Sequence, residues 1–192
     1  MTQNLARCSW CVGDPLYENY HDSEWGKPLF DDQKLFEFLI LETFQAGLSW
    51  ITVLRKRENF RAAFDFFDCH KMASYEAPKL NELLQNKGII RNRLKIEAAI
   101  HNARAYLETQ KKEGSFTKYM WQFVEGKPIV NHFQNQNEIP AYTPLASTIS
   151  HDLKQRGFKF VGPTVVYAHM QATGMVNDHV VHCFRHQEVQ QF

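Results

Sequence analysis

Residues 78–107 read PKLNELLQNKGIIRNRLKIEAAIHNARAYL, and this stretch decides the fold. Leu80, Leu83 and Leu84 follow the three-and-four spacing of a buried helix face. Ile96, Ala99, Ile100, Ala103 and Leu107 repeat that spacing over a longer segment. Between them, Lys87-Gly88-Ile89-Ile90-Arg91-Asn92 breaks the pattern at a glycine. The reading is a helix, a tight turn and a second helix. Amide groups at a helix N-terminus bind phosphate oxygens, helped by the positive end of the helix dipole. Lys87, Arg91, Arg93 and Lys95 surround the turn with positive charge. Such a hairpin suits a nucleic-acid backbone held without sequence preference. The same pattern also fits an ordinary αα-hairpin with a solvated basic face.

Outward from the hairpin the periodicity stays helical. Leu35, Phe38, Leu39, Leu41 and Phe44 mark a buried helix, with Asp31 or Asp32 as its N-cap. Gln45-Ala46-Gly47-Leu48 interrupts it before Ser49, a cap for a helix through Trp50, Val53 and Leu54. RENFRAAFDFF continues as that helix or as another in line. Ser115 caps a helix carrying Phe116, Tyr119, Met120 and Phe123. Residues 125–141, with Gly126, Pro128 and Pro140, read as a long loop. Thr143-Pro144 opens a helix with the stripe Leu145, Ile149 and Leu153. Pro163 opens the next, and Gly174 stops it. No run of paired strands stands out, so the expectation is an all-α chain.

Composition sets the limits. The 192 residues suit one domain, possibly two-lobed, with a sizeable core, and we take 1–192 as that unit. No apolar run approaches the roughly 20 residues that span a bilayer, and MTQNLARCSW lacks a signal-peptide apolar region. A cytoplasmic protein without a membrane partner is expected. A net charge of +1 places any nucleic-acid binding on a local basic face.

Metal donors gather at both ends. Cys8, Cys11 and His21 stand near the start, and His179, His182, Cys183 and His186 near the finish. With histidines nearby, metal binding is a better reading of the four cysteines than disulfides. Zinc takes such thiolate and imidazole donors tetrahedrally, and an ion shared by both clusters would tie the two terminal segments together. Spacing alone favours Cys8 and Cys11 with His179 and Cys183. His21 in place of Cys11 gives a second quartet. If the last segment is helical, His179, His182, Cys183 and His186 share a face and the second pair stays open.

Glu42 lies within FEFLILETFQAG, where nearly every neighbour is apolar. It is either exposed on the far face or buried for a purpose, since an unpaired buried charge costs several kcal/mol. Trp10, Tyr17, Tyr20, Trp25 and Trp50 are core candidates, but rings beside a carboxylate also make a cage for a flat cation.

With these residues assembled, the sequence resembles the Tag-type DNA-3-methyladenine glycosylase I family of the helix-hairpin-helix DNA glycosylase superfamily. The likeness runs from about Arg7 to Cys183. It rests on DPLYENYHDSEWG, LFEFLILETFQAGLSWITVLRKRENFRAAF, GIIRNRLKIEAAIHNARAYL, KQRGFKFVGPTVVY and GMVNDHVVHC. It implies a glycosylase that flips 3-methyladenine out of alkylated double-stranded DNA and hydrolyses its N-glycosidic bond in base-excision repair. It also implies a monomer with a structural zinc on Cys8, His21, His179 and Cys183, the hairpin near 78–107, and terminal zinc-binding segments near 8–21 and 179–183. His182 stands where the family often has a small residue, which makes it a competing imidazole. By the same likeness Glu42 is the catalytic-site carboxylate, with Tyr20, Trp50, Tyr17, Trp10 and Trp25 binding the base. Gln45, Gly47, Leu48, Lys87, Gly88, Arg91 and Arg93 contact DNA. Leu48 is the wedge that fills the vacated stack, with Gln45 as runner-up. Many members of the superfamily place a catalytic aspartate beyond the hairpin, yet no aspartate occurs here between Asp68 and Asp152. A cationic leaving base makes that absence tolerable, and no lysine nucleophile or strand cleavage is expected.

Overall fold

The computed structural model describes residues 5–191. Among them the helices are α1 (Pro15–Ser23), α2 (Asp32–Gln45), α3 (Trp50–Leu54), α4 (Arg57–Ala63), α5 (Cys69–Ala73), α6 (Ala77–Gln85), α7 (Arg93–Glu113), α8 (Phe116–Trp121), α9 (Pro144–Gln155), α10 (Pro163–Ala172) and α11 (Arg185–Glu188). The protein is mostly helical, as read. One addition is a short parallel pairing of β1 (Ile129–Val130) with β2 (Val176–Asn177), in register Ile129↔Val176 and Val130↔Asn177. The 125–141 segment is therefore not all loop. It supplies β1 and a 3-10 turn at Gln136–Glu138.

Local chemistry sets the helix ends. The Asp31 carboxylate accepts from the Lys34 amide at 2.8 Å, so Asp31 rather than Asp32 is the cap of α2. Asp32 is used elsewhere. Its carboxylate accepts from the amides of Phe116 and Thr117 and so caps α8 from a distance. Asn92 caps α7 through the Lys95 amide, and Thr143 caps α9 with Pro144 behind it. Gly174, at φ 69°, stops α10 as its composition suggested. A Cβ there would meet the backbone of Lys27 at 2.4 Å, so only glycine permits this approach.

Helix α2 runs through the centre. Every residue from Leu35 to Phe44 is buried, and the helix packs on α3, α7, α8 and α10. A helix covered on all sides needs a nearly continuous apolar sequence, which explains its weak periodicity. The buried side chains around it form one continuous cluster. α6 and α7 are the helices of the sequence-read hairpin, joined by residues 86–92. Lys56, the residue before α4, donates from Nζ to the carbonyls of Lys87 and Gly88, each at 3.2 Å, and pins the turn from behind. Lys95 departs from expectation. It does not add to the basic face but points inward, 6% exposed, with Nζ donating to the carbonyls of Phe44 and Ala46. None of the helices described is long and apolar enough to cross a membrane.

Candidate functional site

Helix α1 carries two kinds of candidate site residue on adjacent positions. It starts at Pro15, where the Asp14 carboxylate accepts from the amides of Leu16 and Tyr17. One turn later Tyr20 and His21 are both buried. Tyr20 faces a cavity of about 270 Å³, also lined by Trp10, Tyr17, Trp25, Glu42, Gln45 and Trp50. All five sequence-chosen aromatics and Glu42 therefore converge. Trp10 bridges the rings, with centroids 4.7 Å from Tyr17 and 5.1 Å from Trp25. Tyr20 and Trp50 lie 5.4 Å apart at 44°, an open V rather than a parallel slot.

Two polar atoms in this wall are unpaired. Among the described residues, Glu42 Oε2 and Trp50 Nε1 are buried without a hydrogen-bond partner. One is an acceptor and the other a donor, and native interiors rarely leave such groups unused. Glu42 is fully enclosed, and burial alone raises its carboxyl to about 8. Burial also raises the Tyr17 phenol to about 12 and the Tyr20 phenol well above its usual range. Near neutrality the cavity thus presents neutral rings and a carboxyl that has not given up its proton. A cation entering it would favour ionisation of Glu42 and offset the cost of burying that charge. Glu37, on the same helix, makes the contrast clear, because its carboxylate is paired with Arg61 at 2.7 Å.

A larger cavity of about 540 Å³ lies across Phe38, but its arginines are already paired, Arg57 with Glu24 and Arg61 with Glu37. Chemistry, not volume, distinguishes the smaller one. Gln136, Ala168 and Gln171 also line that smaller cavity and were missed from sequence. No local signal marks them, since they come from the 3-10 turn and from α10. Gln171 is oriented by Asp178 Oδ2, which accepts from its Nε2 at 2.8 Å and from the Tyr167 hydroxyl at 2.6 Å.

On the other side of α1, His21 meets Cys8, His179 and Cys183, all buried, with donor atoms within 4.8 Å of one another. Cys183 Sγ lies 3.4 Å from His21 Nε2 and 3.6 Å from His179 Nδ1, and Cys8 Sγ lies 3.6 Å from His179 Nδ1. A tetrahedral zinc with ordinary bond lengths separates its sulfur and nitrogen donors by about 3.6 Å. The remaining ring nitrogens are held too. His21 Nδ1 faces Asp22 Oδ1 at 2.8 Å, and His179 Nε2 faces the Trp25 carbonyl at 3.1 Å. The nearness of the two thiols raises Cys8 and lowers Cys183, and the two histidines lower Cys183 further. The four groups could hold a metal ion. Cys11, favoured by spacing, is excluded, because its thiol donates to the Cys8 carbonyl at 3.1 Å. His182 is exposed and His186 binds the Asn131 carbonyl, so neither competes. The 179–183 segment is a turn, not a helix. Gly26 closes the site, and a Cβ there would lie 2.8 Å from His179 Nε2.

The residues assigned to DNA sit outside the cavity, apart from Gln45 on its wall. Gly47, at φ 83°, turns the 45–48 loop, and Leu48 at its tip is 43% exposed. Lys87, Arg91 and Arg93 are exposed around the hairpin turn, while Gly88 is half-buried against Asn59.

This arrangement has close counterparts. A 3-methyladenine DNA glycosylase I crystal structure superposes with a TM-score of 0.91 at 51% identity, covering 93% of this chain and 98% of the other. Another, described as a 3-methyladenine DNA glycosylase I in complex with 3-methyladenine, gives 0.90 at 38% identity, covering 93% and 96%. These likenesses define a helical DNA-glycosylase class. The profile of the methyladenine glycosylase family matches residues 10–186, and the chain belongs to that family. DNA-3-methyladenine glycosylase 1 of Escherichia coli (strain K12) is 51% identical over 179 residues, 93% of this chain and 96% of the relative.

Proposed function

We propose that this protein is a base-excision repair glycosylase that hydrolyses the N-glycosidic bond of 3-methyladenine in alkylated duplex DNA, with Glu42 as its base-recognition carboxylate. The observation that carries the assignment of the pocket is the unpaired, fully buried Glu42 facing a wall of aromatic rings. N3-methylation makes adenine a flat cation within its nucleotide. Neutral rings attract a cation through their faces, and stacking on an aromatic side chain contributes about 1–3 kcal/mol per base. Glu42 accepts a hydrogen bond from the purine and discriminates for the charged form. Trp50 Nε1 supplies the complementary donor. Tyr20 and Trp50 form one tilted wall for the ring.

Extrusion costs a few kcal/mol of unstacking, which the pocket and the loop at Gln45, Gly47 and Leu48 offset. Leu48, exposed at the tip, is the wedge that fills the gap. The amides at the start of α7, with Lys87, Arg91 and Arg93, hold the phosphates. The cationic base leaves with the glycosidic electron pair and becomes neutral 3-methyladenine. Water adds to the oxocarbenium-like sugar carbon and its proton passes to solvent, so no enzyme nucleophile is consumed. Zinc suits the donor set Cys8, His21, His179 and Cys183. Four protein ligands would leave it no open position, so it would supply cohesion of the terminal segments rather than chemistry.

The test is release of free base from methylated duplex DNA. Excision of 3-methyladenine with little 7-methylguanine is expected, and DNA binding without base release would leave only a binding module. Borohydride should trap no Schiff base with abasic DNA, and a trapped adduct would establish lyase chemistry instead.

A further inference from the structure

Lys95 is an expensive residue where it stands. The residue is 6% exposed, and burial lowers the affinity of its ammonium for the proton. Its Nζ donates to the Phe44 carbonyl at 2.8 Å and to the Ala46 carbonyl at 2.6 Å. These belong to the last turn of α2, where carbonyls lack helical partners and a positive charge complements the dipole. Directly after them the chain makes its tight turn, with the Leu48 amide donating to the Gln45 carbonyl at 2.6 Å. Lys95 is also part of the hairpin. Its own amide donates to the Asn92 side chain that caps α7.

We infer that Lys95 is a positioning residue that couples the phosphate-gripping start of α7 to the 45–48 loop, so that the hairpin's seat on the backbone sets where Leu48 and Gln45 enter the helix. This rests on the reading of hairpin and loop as DNA contacts given above. A hydrophobic side chain would fill the same space at lower desolvation cost. What it could not do is hold the end of α2, at Phe44, and the first part of the loop, at Ala46, in fixed register with the capped turn. Glu42 lies a turn earlier on α2, inside the regular helix, so the recognition carboxylate does not depend on this link, and of the loop only Gln45 also reaches the cavity wall.

The test uses the whole protein with Lys95→Met, which keeps the stem, and Lys95→Arg, which restores two donors. Loop insertion is read from 2-aminopurine placed beside a tetrahydrofuran abasic analogue in a duplex. Free 3-methyladenine affinity is read from tryptophan quenching. Lys95→Met should keep its affinities for the free base and for unmodified duplex within about twofold, lose insertion by roughly tenfold or more, and be largely rescued by Lys95→Arg. Insertion at the unsubstituted level overturns the assignment. So does a parallel loss of base affinity and insertion, which marks a lysine needed only for folding. If Lys95→Met does not fold, amide exchange in the unsubstituted protein decides. Unmodified duplex should protect the amides of Gly47 and Leu48, and unchanged exchange there overturns the coupling. Absence of insertion by the unsubstituted protein counts first against the hairpin-and-loop reading and takes the coupling with it.

Discussion

Glu42→Gln isolates the cost of keeping a carboxyl in the pocket, because the amide preserves shape and removes the ionisation. Burial moves Glu42 from 4.5 to about 8. A group whose folded pKa stands above its unfolded value keeps its proton in the fold while the unfolded chain releases it. Stability is then lost as pH rises from the unfolded pKa to the folded one. At about 1.4 kcal/mol per pKa unit, the cost is about 1 kcal/mol near pH ~5 and about 5 kcal/mol near pH ~9. Glutamine has no such dependence. The stability of Glu42→Gln relative to the unsubstituted protein should therefore rise by about 4 kcal/mol across that interval. Any fixed penalty for a buried amide cancels in the difference. Tyr17 and Tyr20 feel the Glu42 charge, but they ionise above this window. The assay is urea unfolding followed by circular dichroism, with zinc saturating in both proteins. A difference flat to within about 1 kcal/mol would mean that Glu42 is already charged or hydrated in the empty cavity, and the desolvated cation receptor would be wrong.

Metal analysis should find one zinc per chain, and its removal should lower the melting temperature by roughly 10 °C or more; an unchanged transition would detach the metal from folding. Gly26→Ala forces a Cβ to within 2.8 Å of His179 Nε2 at a left-handed backbone position. It should cost about 2 kcal/mol or more and weaken zinc retention, and native-like retention in a competition with a chelator would count against the packing described. Alanine at Lys87, Arg91 and Arg93 together should reduce the slope of log affinity against log salt by about 2 to 3 without changing free-base affinity. An unaltered slope would place the phosphate contacts elsewhere.

Much of this molecule was legible in its residues, and the misses share physical causes. The hairpin and α9 carried a periodic apolar face, α2 a nearly continuous apolar run behind an aspartate cap, and α10 a proline start and a glycine stop, and they formed where those signals lay. Helix α1 was not anticipated, because PLYENYHDS mixes ring and polar positions without a clean stripe; its residues face a cavity and the Cys/His cluster rather than one core face. Lys95 was misread because charge alone carries no direction, and only the position of the α2 carbonyls turns it inward. Glu37 and Glu42 are indistinguishable by hydrophobic pattern, and what separates them is Arg61, far away in the chain. Spacing likewise favoured Cys11, whereas its thiol is spent on the carbonyl of Cys8. Gln136 and Gln171 belong to the cavity only through the fold.

The joined ends have a consequence for how the protein comes into being. Cys8 meets His179 across 171 positions of chain, and His21 meets Cys183 across 162. On a ribosome adding about 5–20 residues per second, α1 emerges roughly 10 to 30 seconds before the residues that will lock it in place. During that interval Trp10, Tyr17, Tyr20 and Trp25 are a wall without an anchor. Competence to cut a base from DNA therefore waits for residues 179–183, and a chain stalled before position 179 would carry the hairpin without a finished pocket.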